Sequence, residues 1–303
     1  MSQAVRVRVP ATSANLGPGF DCLALALDLW NQVELRLEGD GIRVIVRGEG
    51  SDRLPRDETN LVAQAALGLY HAAHIAPPPG LRIECVNRIP LSSGLGSSAA
   101  ARLAGLLGAN ALAGEPLSEE EILELAADLE GHPDNVSAAL AGGLALSVRA
   151  GERLLVRSYA PVLPLPAAVV VPEVNLPTVA ARRALPKQAP LADAVFNLGR
   201  TALVVEALRS GDLDLLGEAM QDRLHQPYRL ALIPGAAAAI EAALRAGASA
   251  AALSGAGPGV IAFPREDPQA VAAAMKAEFT AVGVRSRTWI LAACQDGAAV
   301  EFI

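Results

Sequence analysis

The chain has 303 residues, enough for two domains at roughly 150 residues each and for a sizeable core. Its formal net charge of −7 argues against nucleic acid or an anionic membrane as partner, since both reward a basic face. Hydrophobic residues reach 52% but aromatics only 3%, so the core is built from Ala, Leu, Val and Ile.

Cys22, Cys85 and Cys294 lie far apart, with no metal spacing and no Cys-x-x-Cys. They read as buried thiols of a reducing compartment, the cytoplasm. No basic stretch followed by an apolar core opens the chain, so no signal peptide is expected. Arg, Glu or Pro interrupts each apolar segment before the ~18 residues of a membrane span. The four histidines, His71, His74, His132 and His225, form no His-Glu-x-x-His pair.

Val5, Val7 and Val9 alternate with arginines, which predicts a half-buried strand ended by Pro10. Val33–Leu37 predicts a second strand, and Ile42–Val46 a third, joined by a Gly-Asp-Gly hairpin turn. Asn60 caps a helix to about Ala73, and Leu81–Val86 is strand-like. A helix begins at Ser97. Ser118 and Glu121 form a capping box for a helix to about Glu130, and Asp134 caps a short helix ended by Gly142-Gly143. Strands follow over Leu144–Val148 and Leu154–Tyr159. This order favours an α+β domain over strict βα alternation.

Pro161, Pro164 and Pro166 mark a boundary, giving units of 1–160 and 161–303. Beyond it come a strand at Ala168–Val171, a helix capped by Thr178, and helices over Leu191–Arg209, Leu213–Asp222 and Pro234–Ala246. Short strands at Ala250–Leu253 and Val260–Phe263 flank Ser254-Gly-Ala-Gly-Pro-Gly259. A helix over Pro268–Ala281 and a strand over Arg285–Leu291 complete a βαβ-like half.

The segment Pro90-Leu-Ser-Ser-Gly-Leu-Gly-Ser-Ser-Ala-Ala100 carries most information. Its glycines let amides approach a ligand closely, and it feeds a helix N-terminus, where free N–H groups and the dipole favour phosphate. Ser98 adds a hydroxyl able to ligate the Mg²⁺ of a nucleotide. Gly94-x-Gly96-x-x-Ala99 also fits a dinucleotide fingerprint, yet seven residues separate it from the preceding strand. Only two lysines occur, Lys187 and Lys276, and neither follows a glycine, so no P-loop is present. Phosphate handling therefore rests on amides, hydroxyls and arginine.

Three further constellations stand out. Pro10–Asp21 is a polar, glycine-broken loop in which Asn15 and Asp21 are candidates to face a ligand, Asp21 against an ammonium. Glu130-Gly-His-Pro-Asp-Asn135 sets a carboxylate at a helix C-terminus, which calls for a compensating cation such as Mg²⁺. Ser254–Gly259 reads as a hairpin turn or as a wall for the phosphate loop. Arg182 and Arg229 suit bidentate recognition of a carboxylate.

In chain order, Pro10–Asp21, Pro90–Ala100, Glu130–Asn135 and the Ser254–Gly259 loop together resemble the GHMP kinase superfamily, and Pro10–Asp21 and Glu130–Asn135 resemble its homoserine kinases. The resemblance implies a two-domain fold, with a ribosomal protein S5 domain 2-like N-terminal domain and a ferredoxin-like C-terminal domain. It implies ATP-dependent phosphorylation of the L-homoserine hydroxyl in threonine biosynthesis. It implies that Pro90, Leu91, Ser92, Ser93, Gly94, Leu95, Gly96, Ser97, Ser98, Ala99 and Ala100 wrap ATP, with Ser98 and Glu130 holding Mg²⁺. Asp128 is the alternative to Glu130. Asn15, Asp21, His132 and Asn135 would line the amino-acid site, and Thr178, Arg182 and Arg229 would reach the substrate carboxylate. Asn135, Ser98 and Glu130 would carry the catalysis, Asn135 by orienting the hydroxyl. A sugar or isoprenoid-precursor kinase and an NAD-dependent oxidoreductase are the competing readings. The oligomeric state is open between a monomer and a homodimer.

Overall fold

A computed structural model describes residues 4–151 and 153–303. Residues 1–3 of the expected first unit lie outside the described residues. Two sheets organise the chain. The first runs β11(Ala299–Phe302)-β1(Ala4–Asn15)-β2(Gly19–Arg36)-β4(Gly80–Asn87)-β3(Gly41–Gly48), with β5(Leu144–Ala150) on β2 and β6(Arg153–Tyr159) on β5. The second runs β10(Ser286–Ala292)-β7(Pro166–Pro172)-β9(Val260–Pro264)-β8(Ala248–Leu253). Its pairings are antiparallel and its connectivity is β-α-β-β-α-β, the ferredoxin-like arrangement. The last strand, β11, pairs with β1, so a division at 160/161 leaves one C-terminal strand in the first sheet.

Helices α1(Leu61–Ala72), α2(Ser97–Leu112), α3(Glu119–Glu130) and α4(Asp134–Ala141) accompany the first sheet. Asn60 caps α1 by accepting from Val62 N, and the Ser118–Glu121 capping box opens α3. The buried stripe of α2 includes Leu103 and Leu106, both 0% exposed. Truncating Leu103 to Ala should cost about 2–5 kcal/mol. The second half carries α5(Thr178–Arg183), α6(Leu191–Ser210), α7(Leu213–Ala219), α8(Gln226–Leu230), α9(Ala236–Arg245) and α10(Pro268–Ala281). Its separate core is mostly Ala and Val, with Phe279 and Met275 as the large members.

Several local expectations change. β1 continues through Pro10 to Asn15, because a register shift at Pro10/Ala11 accommodates the missing N–H. β2 begins at Gly19, so Asp21 lies in a strand rather than in the loop expected over Pro10–Asp21. β3 pairs with β4 in parallel rather than with β2 as a hairpin, since α1 provides the crossover between them. Asp134 and Thr178 are the first residues of their helices, with Pro133 and Pro177 at the caps. β8 and β9 form an antiparallel pair, and the expected βαβ-like unit is β9-α10-β10, whose two parallel strands are separated by β7.

Candidate active site

The loop between β4 and α2 turns on Ser92, Gly94 and Gly96, at φ +51°, +80° and +70°. Gly96 caps α2 without a side chain, so nothing local occupies the first N–H groups of the helix. A Cβ on Gly94 would lie 2.1 Å from the Ser254 carbonyl oxygen, and one on Gly96 2.0 Å from Thr12 Oγ1. Glycine is therefore required where this loop meets β1 and the Ser254–Gly259 loop. Ser254 Oγ donates to Gly94 O at 2.7 Å, and Gly259 N donates to Ser93 O at 3.1 Å. The second glycine loop thus packs directly on the first.

A cavity of about 500 Å³ opens beside this loop. Leu91, Ser92, Ser93, Gly94, Gly96, Ser97 and Ser98 line it, whereas Leu95, Ala99 and Ala100 point into the core. Pro90 is buried outside the lining. The Ser93 hydroxyl is used inside the loop, donating to Pro90 O at 2.7 Å and accepting from Leu95 N at 3.2 Å. The other end of the cavity is formed by Leu54, Pro55, Leu61, Val62, Cys85 and Asn87. Burial pushes the Cys85 thiol up to about 12, so it acts as an apolar wall.

Ser98 Oγ donates to Glu130 Oε1, and Arg102 Nε donates to Glu130 Oε2 at 2.9 Å. The cation that compensates Glu130 at its helix C-terminus is therefore Arg102, a partner the sequence reading did not name. Asp128 points elsewhere: it pairs with Arg149 and its side chain is 64% exposed. Among the described residues no cluster of three or more His, Cys, Asp or Glu gathers to hold a metal. One carboxylate and one hydroxyl beside a phosphate cradle suit Mg²⁺, which keeps waters and takes phosphate oxygens as ligands.

A second cavity, about 20 Å³, lies next to the first. Asn15, Asp21, His132, Asn135, Thr178, Arg182 and Arg229 all line it, although they come from both halves of the chain. Asn15 and Asp21 hold left-handed backbone, at φ +70° and +57°, a strained state for residues with a Cβ. Asn15 Nδ2 donates to Gly255 O at 2.7 Å and its Oδ1 accepts from Asp21 N at 3.0 Å, which fixes the bend. Arg182 meets Asp21 in a bidentate pair. The bond to Asp21 raises the pKa of Arg182 further, against burial.

Asn135 is held at both ends, its Oδ1 accepting from Thr12 Oγ1 at 2.7 Å and its Nδ2 donating to Asp134 Oδ1 at 3.1 Å. Asp134 Oδ1 also accepts from Asn135 N and from His132 Nδ1, each at 2.7 Å. Burial disfavours charge on His132, but the Asp134 carboxylate outweighs it and the pKa ends raised. Cys22 is nearby, and burial, then Asp134 and Asp21, push its thiol up to about 11. All three cysteines are unpaired.

The GHMP kinases N terminal domain matches residues 60–143 and the GHMP kinases C terminal domain matches 204–281. A homoserine kinase of Moorella thermoacetica is 46% identical over 97% of this chain and 99% of its own. One from Parasynechococcus marenigrum is 48% identical over 96% and 94%. The chain belongs to the homoserine kinase family of the GHMP kinases. A crystal structure of the Cytophaga hutchinsonii homoserine kinase superposes with a TM-score of 0.87 at 36% identity, covering 98% of this chain and 97% of that one. Membership makes the chain a kinase, with ATP as phosphate donor, and no helix among the described residues is long and apolar enough to cross a membrane.

In this family member several site neighbours escaped the sequence reading. Thr12 lies near the end of β1, three residues before Asn15, where a threonine carries no charge signal. Arg102 looks like the solvated face of an alanine-rich helix. His225 contacts Arg229 and is itself held by Asp222, and a histidine outside any metal motif gives no such signal in sequence.

Proposed function

We infer that the chain transfers the γ-phosphoryl group of ATP to the side-chain hydroxyl of L-homoserine. One observation carries the reading: His132, Asn135 and Thr178 line both cavities. A hydroxyl held in the small cavity would meet a phosphate chain held in the large one, and such positioning is most of what phosphoryl transfer asks of a protein.

Charge selects the acceptor. The small cavity offers two carboxylates, Asp21 and Asp134, and two guanidinium groups, Arg182 and Arg229. Asp134 is already engaged by His132 and Asn135, which leaves Asp21 as the carboxylate for a substrate cation. A sugar would leave the arginines without an anionic partner, and a hydroxy acid would leave Asp21 without a cationic one. An amino acid supplies both. At about 20 Å³ the cavity has room for about one water, which needs roughly 10–15 Å³ on this measure, and not for an amino acid, so the Asp21–Arg182 pair would have to part. Asp21 then takes the ammonium and Arg182 the carboxylate, so no charge is left unpaired.

The amides of the glycine loop and the N-terminus of α2 would hold the phosphates. Ser98 and Glu130 would hold Mg²⁺, which supplies neutralisation of charge on the phosphate oxygens. Asn135 has no basic atom and acts by orienting the hydroxyl. With a loose transition state the proton leaves late, to a phosphate oxygen or water, and no side chain is an obligatory base. The product, O-phospho-L-homoserine, would serve threonine biosynthesis in the cytoplasm.

Phosphorus NMR of the reaction tests this. The expected product is a stable phosphomonoester on the hydroxyl carbon. An acyl phosphate, trapped by hydroxylamine, would show that the carboxylate is the acceptor and that the site has been read backwards.

A further inference from the structure

Arg229 is 1% exposed, unusual for an arginine, yet it lines the small cavity. What holds it there is a histidine that touches no ligand. His225, 0% exposed, lies one helical turn before Arg229. Its Nε2 is 2.7 Å from Gly17 O, and a carbonyl only accepts, so Nε2 carries the proton. Its Nδ1 is 3.2 Å from Arg229 Nη1, and a guanidinium only donates, so Nδ1 carries a lone pair. Both contacts fit one state of the ring, the neutral Nε2–H tautomer.

The ring is held from every side. Phe20 stacks on it, with centroids 5.2 Å apart, and the Arg229 guanidinium carbon lies 5.0 Å from the same Phe20 ring. Asp222, from the turn before α8, accepts from the backbone N–H of Leu224, His225 and Gln226 and from Asn197 Nδ2. Among the described residues the Arg229 guanidinium has one other hydrogen bond, at 3.4 Å to Gly255 O, and its Nε is buried without a hydrogen-bond partner.

We propose that neutral His225 is a positioning residue for substrate recognition: its Nδ1 lone pair aims Arg229 at the carboxylate of the amino-acid substrate. A proton on Nδ1 would set an N–H against a guanidinium N–H and release that aim. The charged groups around the ring are Asp222 beside Nε2, Arg229 on α8, Asp21 on β2 and Arg182 on α5 across Phe20. Burial keeps the ring neutral, with Asp222 opposing and Arg229 reinforcing that effect. Affinity for homoserine, but not for ATP, therefore falls only in acid, at a pH beneath the ordinary histidine value, because burial lowers the His225 pKa.

The inference rests on Arg229 being a carboxylate ligand, so the experiment separates the two claims. Homoserine and ATP KM values are measured from about pH 4.5 to 8.5, low enough to reach a lowered histidine pKa, for wild type, Arg229→Ala, His225→Phe, His225→Asn and the Arg229→Ala/His225→Phe double variant. His225→Phe keeps the stack on Phe20 and loses both hydrogen bonds. It should raise the homoserine KM about 10-fold, the scale of one hydrogen bond to a charged group, with the ATP KM unchanged. His225→Asn retains an acceptor near Nδ1. It should recover part of the loss and lack the acid rise in KM, while His132 still titrates in both proteins. In the Arg229→Ala background His225→Phe should add nothing. 3-Aminopropan-1-ol, which lacks the carboxylate, should not distinguish His225→Phe from wild type. If Arg229→Ala leaves the homoserine KM unchanged, the assignment of Arg229 fails. If Arg229→Ala raises it but the His225 effect is additive, or wild type and His225→Asn share one pH profile, the proposal for His225 is wrong. Should His225→Phe not fold, the comparison of wild-type and His225→Asn pH profiles decides alone.

Discussion

The guanidinium of Arg182 and the carboxylate of Asp21 meet in two parallel hydrogen bonds of 2.8 Å each, across 161 positions of sequence. Each had been expected to face one charge of a zwitterion, and in the structure each satisfies the other. Their side chains are 36% and 34% exposed, so solvent screens the pair and its net worth to folding is about 0–1 kcal/mol. Its role is then visible in binding. Arg182→Ala and Asp21→Ala should each raise the homoserine KM by about 10- to 150-fold, from about 1.5–3 kcal/mol of charge-assisted hydrogen bonding. The ATP KM and the Tm should hardly move. A fall in Tm with an unchanged KM would make the pair structural.

Mg²⁺ dependence should single out the Ser98–Glu130 contact. Glu130→Gln and Ser98→Ala should both raise the Mg²⁺ concentration for half-maximal rate and leave homoserine binding intact. Arg102 neutralises Glu130 from the other side, so Arg102→Met should strengthen apparent Mg²⁺ binding by exposing more negative charge. Asp128→Asn should change nothing, because that carboxylate faces Arg149 at the surface.

Stability should carry the signature of His132. Its pKa is raised in the folded state, through Asp134 overcoming burial. A raised pKa stabilises fully below the unfolded value of about 6.5, and the contribution is lost as pH rises through the folded value. The Tm advantage of wild type over His132→Gln should therefore be larger at pH 6 than at pH 8.5. An advantage that grows with pH would reverse the sign.

Proton transfer gives a sharper contrast. Asn135→Ala should lower kcat, since it removes a group tied to Thr12 and Asp134. Asp134→Asn and His132→Gln should retain substantial kcat. A loss of several orders of magnitude in either, with folding and both KM values intact, would reveal a dedicated base.

The glycine loop leaves little room for substitution. Gly96→Val adds a Cβ 2.0 Å from Thr12 Oγ1 and 3.2 Å from Asn135 Oδ1, at a φ of +70°. It should therefore abolish ATP binding and also displace Asn135, so homoserine affinity should fall with it. Calorimetric titration of each substrate into the variant checks both effects; unchanged ATP affinity would remove the loop from the phosphate site.

The phosphate loop was legible because its glycine spacing and the following helix are local signals. The substrate residues were visible as polar or charged residues in or beside segments broken by glycine or proline, and the fold brings all seven to one cavity. What escaped depends on distance or brevity. Arg102 finds Glu130 across 28 positions, and α8 has only five residues, too few for a periodic pattern to show. β2 begins in Cys22-Leu-Ala-Leu-Ala-Leu27, apolar at every position because both faces are covered, so alternation was absent there. β11 is four exposed residues whose partner lies at the opposite end of the chain. The ion pair between Asp21 and Arg182 could not be foreseen either, since each residue alone points to a substrate charge.

The most direct test of the account is ADP release by the purified chain with ATP and Mg²⁺ over a panel of L-homoserine, L-serine, L-threonine, mevalonate and galactose. The account predicts turnover that depends on L-homoserine, with kcat/KM for it far above the rest and galactose inactive. Equal or faster turnover with mevalonate or galactose, which lack the ammonium that Asp21 would bind, would contradict it.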